Sequence, residues 1–327
     1  MIKIFISLSI GLLLFYLSAR GITFSELGET IRNINFIYLI PVFGIQMILP
    51  LLRAYRLQYL YRPLYRIDFM KTLRINSVGY LFIMLLPMRL GEFIIPYLIK
   101  KNTTLSMSSS MAAIIVERIT DLFVILSILF VVLSNFFLPV WLIQSALTSV
   151  FILFILMAFF SLVYFKSDFV FPLFLKIFSF LPKPFHGKLE TMMTEFTKGL
   201  KVVQGKRQVV LLIVLSVFIW LMSGLVIYFL FGALNIKLNI THALIVMAIN
   251  MIGVALPAGP GMIGNFQYSC IIALELFAID KTTAFAFANV YYVIGMGLTL
   301  LYGFLLLPST NLSFREIKRD VFVLLGK

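Results

Sequence analysis

Five ionisable side chains lie inside or beside long apolar stretches of the chain: Arg89, Glu92, Glu117, Arg118 and Asp121. A charge in hydrocarbon costs at least about 2.5–3.5 kcal/mol, so each of these groups needs a partner or water. The first two are three residues apart and the two later carboxylates are four apart, so each pair shares a helix face. We therefore predict one buried network of two positive and three negative charges.

Two interpretations of this network stay open at this point. It could be a structural clamp that fixes a helical hairpin against the next helix, because buried ion networks often serve specificity. Alternatively, it lines a polar cavity for a charged headgroup, with Arg89 and Arg118 as the phosphate contacts. The position of the network beside a broken helix favours the second interpretation.

A second group of residues would expose backbone and amide groups. A helix beginning near Met262 would aim its free N–H groups and positive dipole end at the membrane centre, which is typical of an anion site. The small Gly264 would let another backbone approach closely. The predicted members of this group are Gly259, Pro260, Gly261, Gly264, Asn265 and Gln267.

The composition identifies the surroundings of these residues. The 327 residues are 61% hydrophobic and 12% charged, whereas soluble domains carry about 25% charged residues. A soluble enzyme, a disordered regulator and a disulfide scaffold are excluded, and the single cysteine allows no internal disulfide. We predict no catalytic residue, cofactor or metal, and no nucleotide-binding loop is visible.

Helices must position the two groups. A span needs about 20 mostly apolar residues, and six stretches qualify. Two shorter runs, 75–87 and 242–256, each end at a Gly/Pro break and continue in a second arm, which is typical of a re-entrant hairpin. The N-terminal stretch is interpreted as a retained helix rather than a signal peptide. The six predicted spans are 4–19, 36–52, 107–134, 139–165, 209–231 and 283–307.

The 27 basic residues orient this arrangement. With both termini cytoplasmic, most Lys and Arg residues fall on the inner side, including the segments 53–74 and 166–207. This distribution accounts for the net charge of +14 without any nucleic-acid partner. Segment 166–207 is either a pair of amphipathic helices at the membrane surface or a solvated basic loop.

The predicted fold is an all-α integral membrane protein forming one polytopic domain over 1–327. It has about six spanning helices and two re-entrant hairpins. Stretches 36–134 and 209–307 both read as span, hairpin and span, but in opposite orientations across the membrane, so we predict an inverted repeat from topology alone.

The motifs also resemble a known family. Arg89-Leu-Gly-Glu92, Glu117-Arg118-x-x-Asp121 and the Gly/Pro run that ends at Gln267 are similar to the lysylphosphatidylglycerol synthase transmembrane region. The resemblance covers roughly 5–307 and implies a flippase-like membrane domain. Many members carry an acidic residue where this chain has Gln267, and the soluble domain of the fused synthases has no counterpart in 1–327.

These observations predict a translocase of an anionic phospholipid or polyprenyl-linked lipid in the cytoplasmic membrane of a prokaryote. The alternative is an intramembrane lipid-modifying enzyme, a polyprenyl-phosphate glycosyltransferase or a lipid phosphatase, in which Glu117 and Asp121 act as acid and base or bind a metal. Expected partners are membrane lipids, with a homo-oligomer or a lipid-synthesis enzyme as further candidates.

Overall fold

The computed structural model describes residues 2–133, 140–167, 169–172, 183–203, 205–256 and 259–310. Within these ranges every secondary-structure element is helical, as the sequence predicts. The α-helices are α1 Ile2–Ala19, α2 Phe24–Arg32, α3 Leu39–Tyr61, α4 Phe69–Leu85, α5 Ile94–Asn102, α6 Met107–Leu133, α7 Val140–Phe165, α8 Lys183–Leu200, α9 Lys206–Ala233, α10 Ile240–Ala255, α11 Asn265–Glu275 and α12 Lys281–Leu306.

The chain divides into two compact units. Unit 1 contains both predicted hairpin breaks, and unit 2 contains α6 with its charged residues. Unit 1 is Met1–Ala54, Met70–Ile95 and Phe218–Lys327, and unit 2 is Tyr55–Phe69 and Pro96–Val217. The boundaries of the units cut through the predicted repeats, and the inverted repeat is not confirmed.

Four described helical segments are long and apolar enough to cross a membrane, and α1 with α2 would make a fifth span if the two helices cross together. The bend between those two helices is 83°. The prediction of six spans is therefore not confirmed. The four segments are Phe36–Tyr61, Ile143–Phe165, Lys206–Ala233 and Lys281–Leu306.

Two predicted spans differ from the helices found. The span predicted at 36–52 continues as α3 to Tyr61. Arg53 and Arg56 therefore lie within the helix and not in the inner loop to which the sequence assigned them. Helix α6 has the length of a span at 27 residues. It is not one of the apolar segments because three charged residues lie near its middle, and their partners decide whether it can be buried.

The first hairpin breaks at the predicted proline. Leu86 is extended (φ −96°, ψ 137°), and a 3-10 segment begins at Pro87. Proline lacks an N–H group and restrains the residue before it, so α4 cannot continue. Gly91 then lies against the backbone of Phe82 and Ile83, where any side chain would overlap α4. The chain therefore folds back onto α4.

The second hairpin is held together by a buried asparagine. The Asn250 Nδ2 in α10 donates to the Phe266 carbonyl at 3.1 Å and to Ser269 Oγ at 2.9 Å, both in α11. Gly253 lies one turn further along α10, and a Cβ there would be 2.7 Å from Ser269 Oγ. The small residue and the amide thus let the two arms pack side by side.

Helix α11 begins at Asn265, three residues after the predicted start at Met262. The backbone between the two arms has positive φ at Gly261 (70°), Met262 (57°) and Gly264 (88°). These conformations are incompatible with a right-handed helix. The prediction of a break was correct, and the prediction of where the second arm starts was wrong.

The basic segment 166–207 contains helix α8, whose apolar side is covered by protein in unit 2. Phe196 stacks on Phe160 of α7 with ring centroids 6.0 Å apart, and Leu200 is buried beside Ala112 of α6. On the other side, hydrogen bonds from Lys198 and Ser106 lower the pKa of the Glu195 carboxyl. The described part of the segment is therefore a packed helix.

We expect Gly199→Ala to weaken this packing. A Cβ at Gly199 would lie 2.7 Å from both Ala112 Cβ and Ser109 Cα, which is closer than atoms can pack. Overpacking costs about 1–3 kcal/mol. The matched control is Gly187→Ala in the same helix, because nothing lies within 4 Å of a Cβ there. Thermal unfolding in detergent should show a lower midpoint for the first variant only, and equal midpoints would contradict this packing.

Candidate functional site

A buried ion cluster occupies the part of unit 2 where α3, α6 and α9 meet. Its central residue is Arg56, whose side chain is 3% exposed. The guanidinium of Arg56 donates to both carboxylate oxygens of Asp121, and the second of these contacts measures 3.1 Å. It also contacts Glu117 Oε1 at 2.5 Å and Ser216 Oγ at 2.7 Å. One arginine thus binds two carboxylates and a hydroxyl.

The positions of these residues follow from helical periodicity. Glu117 and Asp121 are four residues apart on α6, so both carboxylates project from one face towards α3. Ser216 lies on α9, and its hydroxyl oxygen accepts a further hydrogen bond from the Arg56 guanidinium. The forked guanidinium suits this task because it can donate to two carboxylates at once.

Arg118 lies at the edge of the cluster. Its guanidinium is 3.5 Å from Glu117 Oε1 and 3.7 Å from Asp121 Oδ2, longer than hydrogen bonds. Its side chain is 32% exposed, whereas those of the two carboxylates are 5% and 7% exposed. With Arg56 included, the cluster has two positive and two negative charges and is formally neutral.

Arg56 was not predicted from the sequence, whereas its two acidic partners Glu117 and Asp121 were. The sequence analysis counted Arg56 with the basic inner segment 53–74, because a run of Arg residues at a span end is typical of a cytoplasmic loop. A usable signal was present in the neighbouring residues, since Ala54, Leu57 and Leu60 are apolar at helical spacing and are all buried. An arginine on such a face requires an acidic partner.

The two hairpin breaks meet within unit 1. Ile83 of the first hairpin packs with Val254 and Met262 of the second in a small apolar cluster. Tyr80 lies against this cluster, and the Arg53 guanidinium sits 5.0 Å from the centre of its ring, as in a cation–π contact. The breaks therefore meet through apolar contacts with one half-buried arginine beside them. Arg53 is a second residue that the sequence analysis assigned to the inner loop.

The residues around the second break mostly bond to one another. Gln267 Oε1 accepts from the Gly264 N–H at 2.9 Å and so caps α11 locally. The Gly261 carbonyl accepts from Tyr292 Oη at 2.8 Å. Asn265 Nδ2 donates to the Gly253 carbonyl at 3.3 Å, while Asn265 Oδ1 is buried with no hydrogen-bond partner in the described part of the chain. One buried polar atom at this break is thus left without a hydrogen bond in the described part of the chain.

The predicted site residues fall in both units. Glu117, Arg118 and Asp121 are together in unit 2, while Glu92 lies in unit 1 with a half-buried side chain. The side chain of Arg89 lies outside the described residues. Gly259, Pro260, Gly261, Gly264, Asn265 and Gln267 all lie at the second break in unit 1. The grouping of all these residues in one site stays a prediction.

No group of three His, Cys, Asp or Glu residues in the described ranges is arranged to hold a metal ion. Both carboxylates of the cluster already accept hydrogen bonds from Arg56. The arrangement is therefore suited to holding guanidinium groups at depth.

Apolar helices of spanning length define the chain as a multi-pass integral membrane protein. It belongs to the family described as the lysylphosphatidylglycerol synthase TM region, which matches residues 4–303. The resemblance noted from the sequence is thus confirmed. A curated relative, the UPF0104 membrane protein MJ1078 of Methanocaldococcus jannaschii, is 31% identical over 223 residues, which is 67% of this chain and 89% of the relative. No solved structure matches the chain.

Proposed function

We propose that the protein moves an anionic phospholipid or polyprenyl-linked lipid between the leaflets of a prokaryotic cytoplasmic membrane. The observation that carries the proposal is the charge-balanced cluster in unit 2, with Arg118 at its accessible edge. The name of the family adds support, since it links the membrane region to an enzyme of lipid synthesis. Both termini are proposed to be cytoplasmic.

Arg118 is the residue suited to contact the phosphate. Arg56 donates hydrogen bonds to both Glu117 and Asp121, so each carboxylate keeps a cationic partner when Arg118 turns away, and the three remaining groups carry a formal charge of −1. A phosphate can then offer Arg118 a forked, charge-assisted pair in place of its contacts at 3.5 and 3.7 Å. A lipid headgroup could then enter the membrane zone with its charge compensated.

The same geometry argues against the alternative of an intramembrane enzyme. A general base must be able to take up a proton, and a metal ligand needs free lone pairs. Glu117 and Asp121 are buried, and both already accept hydrogen bonds from a permanently charged guanidinium, so oxygen lone pairs of both are occupied. We therefore assign them the role of holding the arginines.

The hairpin breaks in unit 1 support transport in a different way. Irregular backbone at membrane depth persists only when it is buried in protein or lines a wet cavity. The buried side-chain oxygen of Asn265 and the half-buried Arg53 provide polar groups beside these breaks. We propose that the hairpins are re-entrant and that Arg89 and Glu92 also contact the headgroup.

Leaflet exchange of a fluorescent phosphatidylglycerol in proteoliposomes tests the proposal. We expect Arg118→Ala to slow exchange by about tenfold or more, because a hydrogen bond to a charged group contributes about 1.5–3 kcal/mol. The reading is the fraction of label that an impermeant quencher reaches over time.

The matched control is Arg207→Ala, which removes an exposed arginine from the first turn of α9 in the same unit. It should exchange lipid at the wild-type rate. Exchange at the wild-type rate by a folded Arg118→Ala protein would refute the role of this residue. Absence of any exchange above empty vesicles in the wild type would refute the proposed function itself.

A further inference from the structure

A separate polar pocket lies in unit 2 at the end of α3. Its volume is about 280 Å³ and it is open to the surface. Polar and aromatic side chains line it together with two arginines: Tyr55, Gln58, Tyr59, Arg62, Arg66 and Ile67. None of these residues belongs to the ion cluster around Arg56.

The pocket is built by a loop that folds back onto α3. The N–H groups of Leu64 and Tyr65 both donate to the Tyr61 carbonyl at 2.9 Å, which turns the chain at the helix end. Gln58 Nε2 then donates to the Ile67 carbonyl at 2.8 Å and fixes the far side of the loop to the helix. These three hydrogen bonds give the pocket a defined wall.

The two arginines are available to a ligand. Arg62 and Arg66 are both exposed, and within the described ranges no carboxylate forms an ion pair with either of them. The carbonyl end of a helix favours positive charge, so Arg62, directly after α3, is stabilised without an acidic partner. Two guanidiniums that line one pocket are suited to binding a phosphate.

The position of the pocket indicates the source of that phosphate. The pocket lies around the last two turns of the apolar segment Phe36–Tyr61, and Arg62 and Arg66 follow the segment, which places them at the level of the lipid headgroups. Tyrosine is favoured at that level, and Tyr55 and Tyr59 lie one helical turn apart on the same face. The basic segment 53–74 is predicted to be cytoplasmic, where anionic lipids attract basic residues.

We propose that this pocket binds the phosphate of an anionic lipid in the inner leaflet, with Arg62 and Arg66 as the donors and the tyrosines packing against the glycerol region. The site goes beyond the translocation proposal. Arg62 directly follows the last residue of α3, about 9 Å along the helix axis from Arg56, and the binding needs no movement of lipid between leaflets.

Native mass spectrometry of the full chain in detergent tests the site, with short-chain phosphatidylglycerol as the probe. We expect Arg62→Gln/Arg66→Gln to weaken binding by about tenfold or more, since it removes two charge-assisted contacts. The control Lys100→Gln/Lys101→Gln removes two basic residues from the last turn of α5 and should bind as the wild type does. If the double variant does not elute as a single species, the single variant Arg66→Gln replaces it.

Further measurements distinguish the sources of phosphate and the two proposals. Short-chain phosphatidylcholine should bind the wild type more weakly, and inorganic phosphate in excess should not displace phosphatidylglycerol. Displacement by inorganic phosphate would overturn the assignment to a lipid, and equal affinity in the arginine and lysine variants would overturn the site. Arg118→Ala should bind phosphatidylglycerol as the wild type does. A failure of the translocation proposal would therefore change leaflet exchange, and a failure of the pocket proposal would change lipid binding.

Discussion

Arg56→Met is expected to lower the free energy of unfolding by about 3–5 kcal/mol, the largest loss for a single substitution in unit 2. The substitution removes the guanidinium and its hydrogen bonds to Glu117 and Asp121, which stay buried with Arg118 at 3.5 and 3.7 Å. Two carboxylates whose side chains are 5% and 7% exposed would then repel each other in a weakly polarisable environment.

Reversible unfolding by an anionic detergent, followed by tryptophan fluorescence, measures this loss. Arg207→Met provides the control, since it makes the same chemical change at an exposed position. A midpoint for Arg56→Met equal to that of the wild type would mean that the cluster does not stabilise unit 2.

A compensating variant separates charge from packing. Arg56→Met/Glu117→Gln/Asp121→Asn removes the central cation and both anions together while nearly preserving their volumes. The variant leaves no buried carboxylate without Arg56, and the remaining charge of Arg118 is 32% exposed, so we expect most of the lost stability to return. Leaflet exchange should be slower in this variant than in the wild type, because the carboxylates that hold Arg118 near the cluster are gone. Restored stability with restored exchange would contradict the role of these carboxylates in transport.

Local rules predicted much of this fold and failed where distant residues meet. Pro87 and the run from Gly259 to Gly261 stop helices by their own backbone chemistry, so both breaks could be placed from the sequence. The start of α11 was misplaced by three residues, because positive φ at Met262 depends on the packing around it. Non-glycine residues rarely adopt this conformation, and no local pattern predicts it.

Part of the candidate site could be predicted from the sequence, and the part that depends on contacts between distant residues could not. Glu117 and Asp121 could be predicted from the sequence because they lie four residues apart in an apolar helix. Arg56 has the same chemistry, but it lies in a basic run at a helix end, and its role depends on a partner 65 residues away. A charge pattern indicates which side of a membrane a segment prefers, but it does not identify the arginine that turns inward.

Gly264→Ala is expected to detach α1 from the second hairpin in unit 1. The backbone of Gly264 has φ +88°, where a side chain costs about 1–3 kcal/mol in strain. A Cβ there would also overlap the carbonyl of Gly11 in α1 and lie 3.0 Å from the Phe15 nitrogen. Overpacking adds about 1–3 kcal/mol, so the two costs together approach those of Arg56→Met.

Gly21→Ala is the matched control that separates these two costs. Gly21 has nearly the same φ, +80°, but nothing lies within 4 Å of a Cβ built there. It should therefore lose stability from strain alone, and Gly264→Ala should have the lower midpoint of thermal unfolding. Equal midpoints would mean that α1 can move away at no cost. A clear difference would mean that the close approach of Gly11 and Gly264 fixes the second break, because backbone in contact with backbone has no flexible side chain to give way.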